Sequence, residues 1–427
     1  MEKYKFSNSK IYKLNEKLNK KPYKYVYKEL LPKKIYDKLQ SNVYLLNQKT
    51  IAKDWDNILK DYFENKVIGK KVKPKKTLTD KNIIWQFWGQ GWDYEKLPSV
   101  VKICYKSMEK YGKGYTVIRL DNESMKEYLD IPEYILEKLN DKRMGYAHFS
   151  DILRLALLSN YGGVWMDATI LLTDYLSEKY FEMDYFLFQR DENLENKKEW
   201  EDYDSIYFSW SKKSKVRMLS SVIFSHKNNK VINTLLDMLM IFWENNDSVP
   251  NYFILQILYN ELIENYYKKE QCQVISDTFP HEMFRVWFDK YSEDKLQEIT
   301  KKSSIHKLSF KIENSKRKKD GTFFEYFEKK RKNFDLPLLK EGTPFQISVW
   351  NALETIPYGE TRSYKDIAIA INNEKAVRAV GMANNRNKIS IFIPCHRVIG
   401  MNGKLVGYGG GLHIKEFLLE LEGIKIK

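Results

Sequence analysis

In the middle of the chain, residues 150–169 read SDILRLALLSNYGGVWMDAT. The first part has the apolar spacing of a buried helix, which ends at Asn160-Tyr161-Gly162-Gly163, and Val164–Met166 is a short apolar strand after it. Upstream, Ile83–Trp88 is another apolar run that ends at glycine. Strands and helices that alternate in this way predict an α/β fold with a mainly parallel sheet and flanking helices.

Charged residues stand at the ends of these elements. Asp167 follows the strand Val164–Met166, and open parallel sheets bind ligands beyond the carboxyl ends of their strands. Asp151 and Arg154 are three residues apart, so they share one face of the preceding helix. A carboxylate at such a position suits a divalent ion that bridges a diphosphate. The alternative is that Asp167 caps a loop and that Asp151 and Arg154 form a structural ion pair.

The middle region resembles the glycosyltransferases with a DXD sugar-binding region, most closely the capsular-polysaccharide-synthesis type. Three segments carry the resemblance in order and spacing: Asn82–Gly91, Phe149–Leu158 and Tyr161–Leu171. The resemblance covers roughly residues 81–311. It implies a nucleotide-sugar-binding, Rossmann-like domain of the GT-A type that adds a sugar to an unknown glycan acceptor, in capsular or cell-surface polysaccharide synthesis.

The resemblance also implies roles for individual residues. Asp151 and Arg154 would contact the nucleotide-sugar donor, and Asp167 would be the first aspartate of the DXD element and a ligand of Mn or Mg. Thr169 stands where the second acid is expected, which weakens direct metal binding by the protein. A degenerate domain that keeps the fold without activity is the alternative.

Two residues further along the chain are weaker candidates. Asp277 and His281 could complete a metal or phosphate site in the same region. A single histidine or aspartate in a loop is more often simply solvated, and that alternative stays open.

The composition excludes several classes of protein. Of the 427 residues, 43% are hydrophobic and 15% aromatic, which is enough for packed cores and too much for a disordered chain. No apolar run approaches the ~18 residues of a membrane span, and the polar N-terminus has no signal-peptide core. Three widely spaced cysteines argue for a reducing compartment and against a disulfide framework. We therefore expect a cytoplasmic protein.

The positive charge is concentrated near the N-terminus. Residues 1–80 hold 21 lysines, no arginine and nine acidic residues, and so account for most of the net charge of +15. A basic face of this kind can contact an anionic membrane surface or nucleic acid. The absence of arginine weakens the nucleic-acid interpretation. The alternative is a solvated, lysine-rich helical segment.

The sharpest motif lies in the C-terminal region and reads IPCHRVI (residues 393–399). The thiolate is the nucleophilic form of cysteine, so Cys395 needs a base, and the base needs an orienting group. His396 is adjacent, and Glu422 ends the last helix in a position to complete a Cys–His–Glu arrangement. Taken alone, the Cys-His dipeptide indicates a buried, inert cysteine.

The surrounding sequence favours a reactive cysteine that acts on DNA. Residues 364–371 and 375–385 predict two short helices in a helix-turn-helix arrangement, with a turn at residues 372–374. The second helix of such a unit lies against DNA, and here it carries Arg378 and leads to Arg386.

Together these features resemble the DNA-binding, active-site domain of the methylated-DNA–protein-cysteine methyltransferases, the O(6)-methylguanine repair proteins, over about residues 335–423. The resemblance implies a small, mainly α, winged-helix-like domain that binds double-stranded DNA with an alkylated guanine and needs no cofactor. Cys395 would accept the methyl group irreversibly, His396 would remove the thiol proton through a water, Glu422 would hold His396, and Tyr364 would protonate the guanine. The residues grouped by the resemblance as binding DNA or the flipped base are Arg378, Asn387, Arg397, Val398, Tyr408 and Gly409. Among them, Asn387 is implied to brace the turn before the active-site strand.

The predicted organisation has four parts: a basic helical segment (1–80), a glycosyltransferase-like domain (81–311), a linker with a remnant helix (312–338) and a methyltransferase domain (339–427). The subdomain that usually precedes this methyltransferase unit is missing apart from the remnant helix. One alternative is that only one of the two domains is active. Another is that the C-terminal domain binds alkylated guanine without reacting, but the presence of Cys395 favours reaction.

Overall fold

The computed structural model describes residues 3–6, 33–80, 82–312, 321–328 and 340–424. The chain divides into two compact units, Met1–Glu328 and Lys329–Lys427. Parts of two predicted segments lie outside the described residues, namely residues 7–32 of the basic segment and residues 313–320 and 329–339 around the predicted linker. Each unit has a hydrophobic core of its own.

The first unit alternates helices and strands along the chain. The α-helices of its described residues are α1 (Lys33–Phe63), α2 (Ser99–Tyr111), α3 (Glu133–Asn140), α4 (Tyr146–Tyr161), α5 (Lys197–Tyr203), α6 (Lys230–Asn245), α7 (Ile254–Asn265), α8 (Glu282–Arg285), α9 (Glu293–Lys302) and α10 (Phe323–Glu328). The strands are β1 (Lys73–Pro74), β2 (Ile83–Phe87), β3 (Thr116–Leu120), β4 (Leu129–Asp130), β5 (Gly163–Met166), β6 (Ile170–Leu172), β7 (Tyr185–Gln189), β8 (Met218–Ser225) and β9 (Ile305–Lys307). The predicted α/β class is confirmed.

Five strands form the central sheet in the order β3-β2-β5-β8-β7. Strand β2 pairs in parallel with β3 and β5, whereas β8 runs antiparallel to both of its neighbours, β5 and β7. The sheet is therefore mixed, which differs from the mainly parallel sheet that the sequence predicted. All residues of β2, β7 and β8 are buried, so their sequences do not alternate between apolar and polar residues in the way that would indicate an antiparallel strand with one solvated face.

Helix α1 belongs to the first unit, although the sequence analysis placed it in a separate N-terminal segment. Its Trp55, Ile58 and Leu59 are buried in the main core. The Trp55 indole N–H donates to the carbonyl of Ile254, the first residue of α7, at 3.2 Å. An apolar helix face needs a partner to bury it, and α7 provides that partner. The compact unit thus begins before residue 81.

Helix α10, which the sequence analysis assigned to the linker and the methyltransferase remnant, also packs in the first unit. Phe323 and Phe324 are buried in a cluster that contains Trp287 and Cys104. The rings of Trp287 and Phe324 meet edge to face with their centroids 6.0 Å apart. Burial of these phenylalanines makes α10 the last element of the first unit, and the boundary follows at Glu328.

Lysines of the basic N-terminal region form ion pairs with acidic residues of the same unit. Lys71 donates to both carboxylate oxygens of the buried Asp237 at 2.8 Å. Lys70 lies 2.8 Å from the carboxylate of Glu244. Part of the positive charge is therefore compensated within the unit. In the part of the chain that the structure describes, no helix is both long and apolar enough to cross a membrane.

The second unit is a small, mainly α-helical domain, as predicted. Its described elements are α11 (Pro344–Glu354), β10 (Arg362–Ser363), α12 (Tyr364–Ala370), α13 (Val377–Asn385), β11 (Val398–Ile399) and α14 (Leu412–Leu421). Helix α11 begins at a capping box, in which Thr343 and Gln346 each accept a hydrogen bond from the other's backbone. Strands β10 and β11 pair in parallel. Residues Val349, Trp350, Ile367, Val380 and Val398 form the core between these elements.

Candidate functional sites

A cleft with a volume of about 660 Å³ opens in the first unit beyond the carboxyl end of β5. Its lining includes Asp151, Arg154 and Asp167, the three residues that the sequence analysis connected with a nucleotide-sugar. Open α/β sheets bind ligands at this edge. The structure thus brings the three predicted residues together at one cavity.

Tight strand packing holds Asp167 at this edge. A Cβ atom at Gly163 would lie 2.5 Å from the carbonyl oxygen of Ile83, so only glycine lets β5 approach β2 this closely. The φ angle of Gly163 is +97°, which also favours glycine. On the other side of β5, the backbone N–H of Asp167 donates to the carbonyl of Ser221 at 2.9 Å. These contacts fix the point at which the Asp167 side chain leaves the sheet.

The carboxylate of Asp167 is held by hydrogen-bond donors at both oxygens. Oδ1 accepts from the Trp165 indole N–H at 2.9 Å and lies 3.4 Å from the Arg154 guanidinium. Oδ2 accepts from Nζ of Lys307 at 3.0 Å. Burial alone would raise the pKa of Asp167, but the charges of Lys307 and Arg154 outweigh it and lower the pKa to about 2. Asp167 is therefore ionised at neutral pH.

Asp151 and Arg154 form an ion pair on one face of α4, with an N–O distance of 3.1 Å. Arg154 also donates to the carbonyl of Ser220 at 2.7 Å. Burial raises the pKa of Asp151 to about 7, although the charge of Arg154 opposes the rise. The pair predicted as the structural alternative is thus present, and both of its members also line the cleft. Their contact with a nucleotide-sugar stays a prediction.

Lys307 is a residue of the cleft that the sequence analysis did not identify. It ends β9, which pairs antiparallel with β6 next to Asp167. Its ammonium group donates to Asp167 and also to Oγ1 of Thr169 at 2.7 Å. Lys307 and Asp167 are 140 residues apart in the chain. Only the pairing of β6 with β9 brings them together, and no local motif marks the lysine.

Of the two weaker candidates, only His281 lines the cleft. Asp277 is fully buried, and its carboxylate accepts hydrogen bonds from the Arg190 guanidinium at 3.0 and 2.9 Å. His281 Nδ1 lies 2.7 Å from the carbonyl oxygen of Asp277, which assigns the proton to Nδ1 and leaves Nε2 as an acceptor. Burial lowers the pKa of His281, so its ring is neutral at pH 7.

The side chains around Asp167 do not fit a divalent metal held by the protein. Mg and Mn prefer several oxygen ligands. Within the described ranges, no group of three or more His, Cys, Asp or Glu side chains is arranged to hold a metal ion. Thr169 replaces the second carboxylate, and both oxygens of Asp167 already accept hydrogen bonds from the protein.

In the second unit, Cys395 begins a 3₁₀ helix that spans Cys395–Arg397. The residue is only 5% exposed. The Asn387 amide donates to Sγ of Cys395 at 3.2 Å and to the carbonyl of Ile393 at 2.8 Å, so it braces the turn before the cysteine. Burial raises the pKa of the Cys395 thiol, although the bond from Asn387 opposes the rise. The thiol is therefore protonated at neutral pH and needs a base to react.

His396 and Glu422 are in contact, with Nε2 and Oε1 2.7 Å apart. Burial alone would raise the pKa of Glu422, but the hydrogen bonds from His396 and Arg397 lower it to about 2. An ionised carboxylate only accepts hydrogen bonds, so Nε2 of His396 carries a proton, and the lone pair of the neutral form of the ring is on Nδ1. Nδ1 is buried and has no hydrogen-bond partner among the described residues.

Arg397 differs from its expected role as a DNA-binding residue. Its side chain is buried, and the guanidinium donates to both oxygens of Glu422, at 3.1 and 2.9 Å from Nε. It also donates to the carbonyl of Ile356 at 2.7 Å. A guanidinium enclosed in this way does not reach a DNA groove. Its contacts instead hold Glu422 against His396.

The other predicted residues of the second unit lie on several elements. Tyr364 donates to the carbonyl of Val406 at 3.2 Å, and both Tyr364 and Tyr408 pack against the core cluster that contains Cys395 and Val398. Arg378 is exposed in the first turn of α13.

Gly409, which was expected in the guanine pocket, is exposed. A Cβ atom there would meet its nearest neighbour, Oδ1 of Asn385, at 3.6 Å, which is an ordinary contact distance. The position therefore has room for a small side chain such as that of Ser or Ala.

Lys415 on α14 is another lysine that the sequence analysis missed, and unlike Lys307 it is fully buried. Its ammonium group donates to the carbonyls of Val398 and Val406 at 2.6 and 2.8 Å, and so ties together the chain on either side of residues 399–405. Burial lowers the pKa of Lys415 to about 8. A sequence signal existed, because Lys415 stands at helical spacing with Leu418 and Leu419 on the buried face of α14.

Comparison with known proteins matches the two units to two different families. Residues 33–327, more than half of the chain, match the family described as capsular polysaccharide synthesis protein. Residues 344–424 match the family described as 6-O-methylguanine DNA methyltransferase, DNA binding domain.

Individual relatives match the second unit. The methylated-DNA–protein-cysteine methyltransferase of Methanosarcina acetivorans is 67% identical over 98 residues, which are 23% of this chain and 63% of that protein. The constitutive enzyme of that name from Bacillus subtilis is 62% identical over 104 residues, 24% of this chain and 63% of that protein. A crystal structure of Mycobacterium tuberculosis OGT in complex with DNA is 57% identical and covers 23% of this chain and 60% of that chain, with a TM-score of 0.23.

The match therefore spans less than two thirds of each curated relative's length. The family match of the first unit and that of the second are separate and do not overlap. The chain belongs to the capsular polysaccharide synthesis protein family and joins to that domain a DNA-binding domain of the 6-O-methylguanine DNA methyltransferases.

Proposed function

We propose that the second unit repairs O(6)-methylguanine in double-stranded DNA by transferring the methyl group to Cys395. The observation that carries this proposal is the arrangement of a buried thiol beside a histidine whose tautomer is set by an ionised glutamate. Such an arrangement supplies a nucleophile, a base and an orienting group without any cofactor.

The proposed step is a direct displacement. The sulfur of Cys395 forms a bond to the methyl carbon while the bond from that carbon to O6 breaks, and the guanine leaves with the electron pair. Nδ1 of His396 takes the thiol proton through a bridging water, since Glu422 keeps the other proton on Nε2. Tyr364 donates the proton that the departing guanine takes up. A thioether has no second step that removes it, so each molecule reacts once.

Recognition of DNA follows from the position of the methyl group. O6 is not accessible inside the stacked duplex, so the base has to be extruded at a cost of a few kcal/mol. Arg378, exposed on α13, is proposed to fill the space that the base leaves. Val398, Tyr408 and Gly409 are proposed to line the guanine pocket, and Asn387 keeps Cys395 in place beside it.

The test is the intact mass of the full-length chain after incubation with duplex DNA that contains one O(6)-methylguanine. A single added methyl group that maps to Cys395 supports the proposal, and Cys395→Ala should bind the same DNA without gaining mass. Methylation of Cys395→Ala would contradict the assignment. Binding without any added mass in the unmodified chain would indicate the non-reacting alternative. O(4)-methylthymine has a similar methyl ether and is the second substrate to test.

For the first unit we propose transfer of a sugar from a nucleotide-sugar to a glycan acceptor, in capsular or cell-surface polysaccharide synthesis. The supporting observation is the cleft at the carboxyl end of β5, where Asp167 and Arg154 lie beside each other. A five-stranded sheet with its cleft at this edge is compatible with a Rossmann-like fold of the GT-A type. The family to which this unit belongs supports the polysaccharide context.

This second proposal is tested by incubating the full-length chain with a panel of nucleotide-sugars and measuring the nucleotide released. Asp167→Asn should reduce release at least tenfold, because it removes the negative charge that holds Lys307 and Arg154 in the cleft. Asp174→Asn, on an exposed residue outside the cleft, is the matched control. An unchanged rate in Asp167→Asn would refute the site. No turnover of any donor would favour the alternative in which only the second unit is active.

A further inference from the structure

The ammonium group of Lys307 lies between the two side chains that a DXD element would use to hold a metal. It donates to Oδ2 of Asp167 at 3.0 Å and to Oγ1 of Thr169 at 2.7 Å. Asp167 and Thr169 occupy the first and third positions of the Asp-Ala-Thr sequence after β5. One lysine therefore bridges the first and third side chains of this motif.

The charges around Lys307 balance as they would around a divalent metal ion held by two carboxylates. Two carboxylates with a divalent cation are neutral together, and one carboxylate with one ammonium group is neutral as well. Thr169 has no charge, so a dication at this point would face a single carboxylate that is already paired with Lys307. Displacing the ammonium group from Asp167 would cost that ion pair, which burial strengthens relative to a surface pair.

Lys307 also has capacity left for a ligand. An ammonium group has three N–H bonds, and the described residues use two of them. Its side chain is 23% exposed, and it lines the cleft. A third N–H at the edge of a cleft suits an anionic oxygen, and phosphate oxygens are strong acceptors for lysine.

The walls of the cleft fit the remainder of a nucleotide. Tyr146, Tyr203 and Tyr252 line it and are 42%, 43% and 58% exposed. Aromatic rings that are partly exposed at a cavity offer flat surfaces on which a nucleobase can stack. The cleft thus combines the N–H donors of Lys307 and Arg154 with aromatic walls, and both parts of a nucleoside diphosphate have a place in it.

We propose that Lys307 replaces the divalent cation in this unit, so that the cleft binds the diphosphate of a nucleotide donor without a metal. Lys307 contacts the diphosphate directly, and Arg154 contributes positive charge from behind Asp167. Thr169 is then a suitable partner for the lysine and not a defect of the motif. This inference rests on the proposed sugar transfer, because it assigns the donor's diphosphate to the same cleft.

The test is calorimetric binding of UDP, GDP and dTDP to the full-length chain, in EDTA and again with excess Mn²⁺. We expect at least one diphosphate to bind in EDTA, with a Kd that changes less than threefold when Mn²⁺ is added. Lys307→Met should weaken that binding at least tenfold, and Lys307→Arg should retain more of it. Lys213→Met, on an exposed residue outside the cleft, should bind like the unmodified chain.

The outcomes separate this inference from the proposed function. Binding that requires Mn²⁺ would overturn the inference and leave sugar transfer standing. Absence of binding in both conditions would overturn both. Equal binding by Lys307→Met and the unmodified chain would assign Lys307 a purely structural role. The comparison of EDTA with Mn²⁺ needs no variant, so it decides the question even where Lys307→Met fails to fold.

Discussion

Asp167 in the first unit and Glu422 in the second are carboxylates whose negative charge is stabilised in the same way. Each is a carboxylate held by cationic or N–H-bearing side chains, namely Lys307, Arg154 and Trp165 for Asp167 and His396 and Arg397 for Glu422. In both cases burial would raise the pKa, and in both the partners lower it to about 2. Both groups are therefore permanently ionised at neutral pH.

The settings differ in what the fixed charge faces. The Glu422 side chain is 5% exposed and fixes the tautomer of a histidine next to the nucleophile. The Asp167 side chain is 24% exposed and borders a cleft of about 660 Å³. The same arrangement of charges thus holds a histidine inside the second unit and two cationic side chains at the cleft of the first unit. The second unit is proposed to react through its own side chains, whereas the proposed function of the first unit depends on the ligand that enters its cleft.

The largest expected effect comes from Glu422→Gln. An amide at this position can no longer fix the proton on Nε2 of His396, so Nδ1 loses its role as the base. We expect the rate of methyl transfer to Cys395 to fall about 10³-fold or more, by analogy with the loss of the orienting carboxylate in catalytic triads. Single-turnover measurement of methylated chain by intact mass checks this. Glu416→Gln on the exposed side of α14 is the control, and a rate within threefold of the unmodified chain in Glu422→Gln would refute the role.

Arg397→Met should destabilise the second unit by about 3–5 kcal/mol, since it leaves a buried carboxylate with one partner fewer. Thermal unfolding of the full-length chain, monitored by hydrogen exchange of residues 340–424, measures this loss of stability. Arg378→Met should leave stability unchanged and weaken DNA binding, because Arg378 is exposed. If instead Arg397→Met is as stable as the unmodified chain and loses only DNA affinity, Arg397 has the DNA-binding role expected from the sequence.

The sequence predicted those parts of the two sites that depend on short distances along the chain. Asp151 and Arg154 share a helix face because a helix brings residues three apart together. Asp167 lies at the sheet edge because it follows a strand directly. Cys395 and His396 are neighbours in the motif. The α/β class of the first unit followed from the spacing of apolar residues in the same way. The mainly α character of the second unit followed from the family resemblance.

The remaining features of the fold and the sites depend on contacts between distant parts of the chain, which no local sequence pattern indicates. Lys307 reaches Asp167 only through the pairing of β6 with β9, 140 residues apart. The direction of β8 was not readable, because all of its residues are buried and its sequence would be equally apolar in a parallel strand. Arg397 has a side chain of the type that often binds DNA. It points into the domain because the end of α14 brings Glu422 next to it.

Lowering the pH should remove the contribution of Glu422 to the stability of the second unit. Its pKa in the folded unit is about 2, below the ordinary value of about 4.3, so the ionised form stabilises the fold. This contribution is fully present above about pH 4.5 and is lost as the pH falls toward 2; at neutral pH it amounts to at most about 3 kcal/mol. Chemical denaturation of the second unit between pH 2 and 7 measures it. Glu422→Gln should flatten this pH dependence, and an unaltered dependence would show that Glu422 does not contribute.

The smallest expected effect is the contribution to stability of the hydrogen bond from Trp165 to the charged Asp167. A matched substitution at Trp85 separates it from the loss of packing. Trp165 and Trp85 are both fully buried and each donates one indole hydrogen bond at 2.9 Å, Trp165 to the carboxylate of Asp167 and Trp85 to the carbonyl of Gly162. Replacement by phenylalanine removes the same atoms in both places. Hydrogen bonds to charged groups contribute more than those to neutral ones, so Trp165→Phe should destabilise the first unit by about 1 kcal/mol more than Trp85→Phe. Equal free energies of unfolding in denaturant titrations would mean that Lys307 and Arg154 already satisfy the carboxylate by themselves.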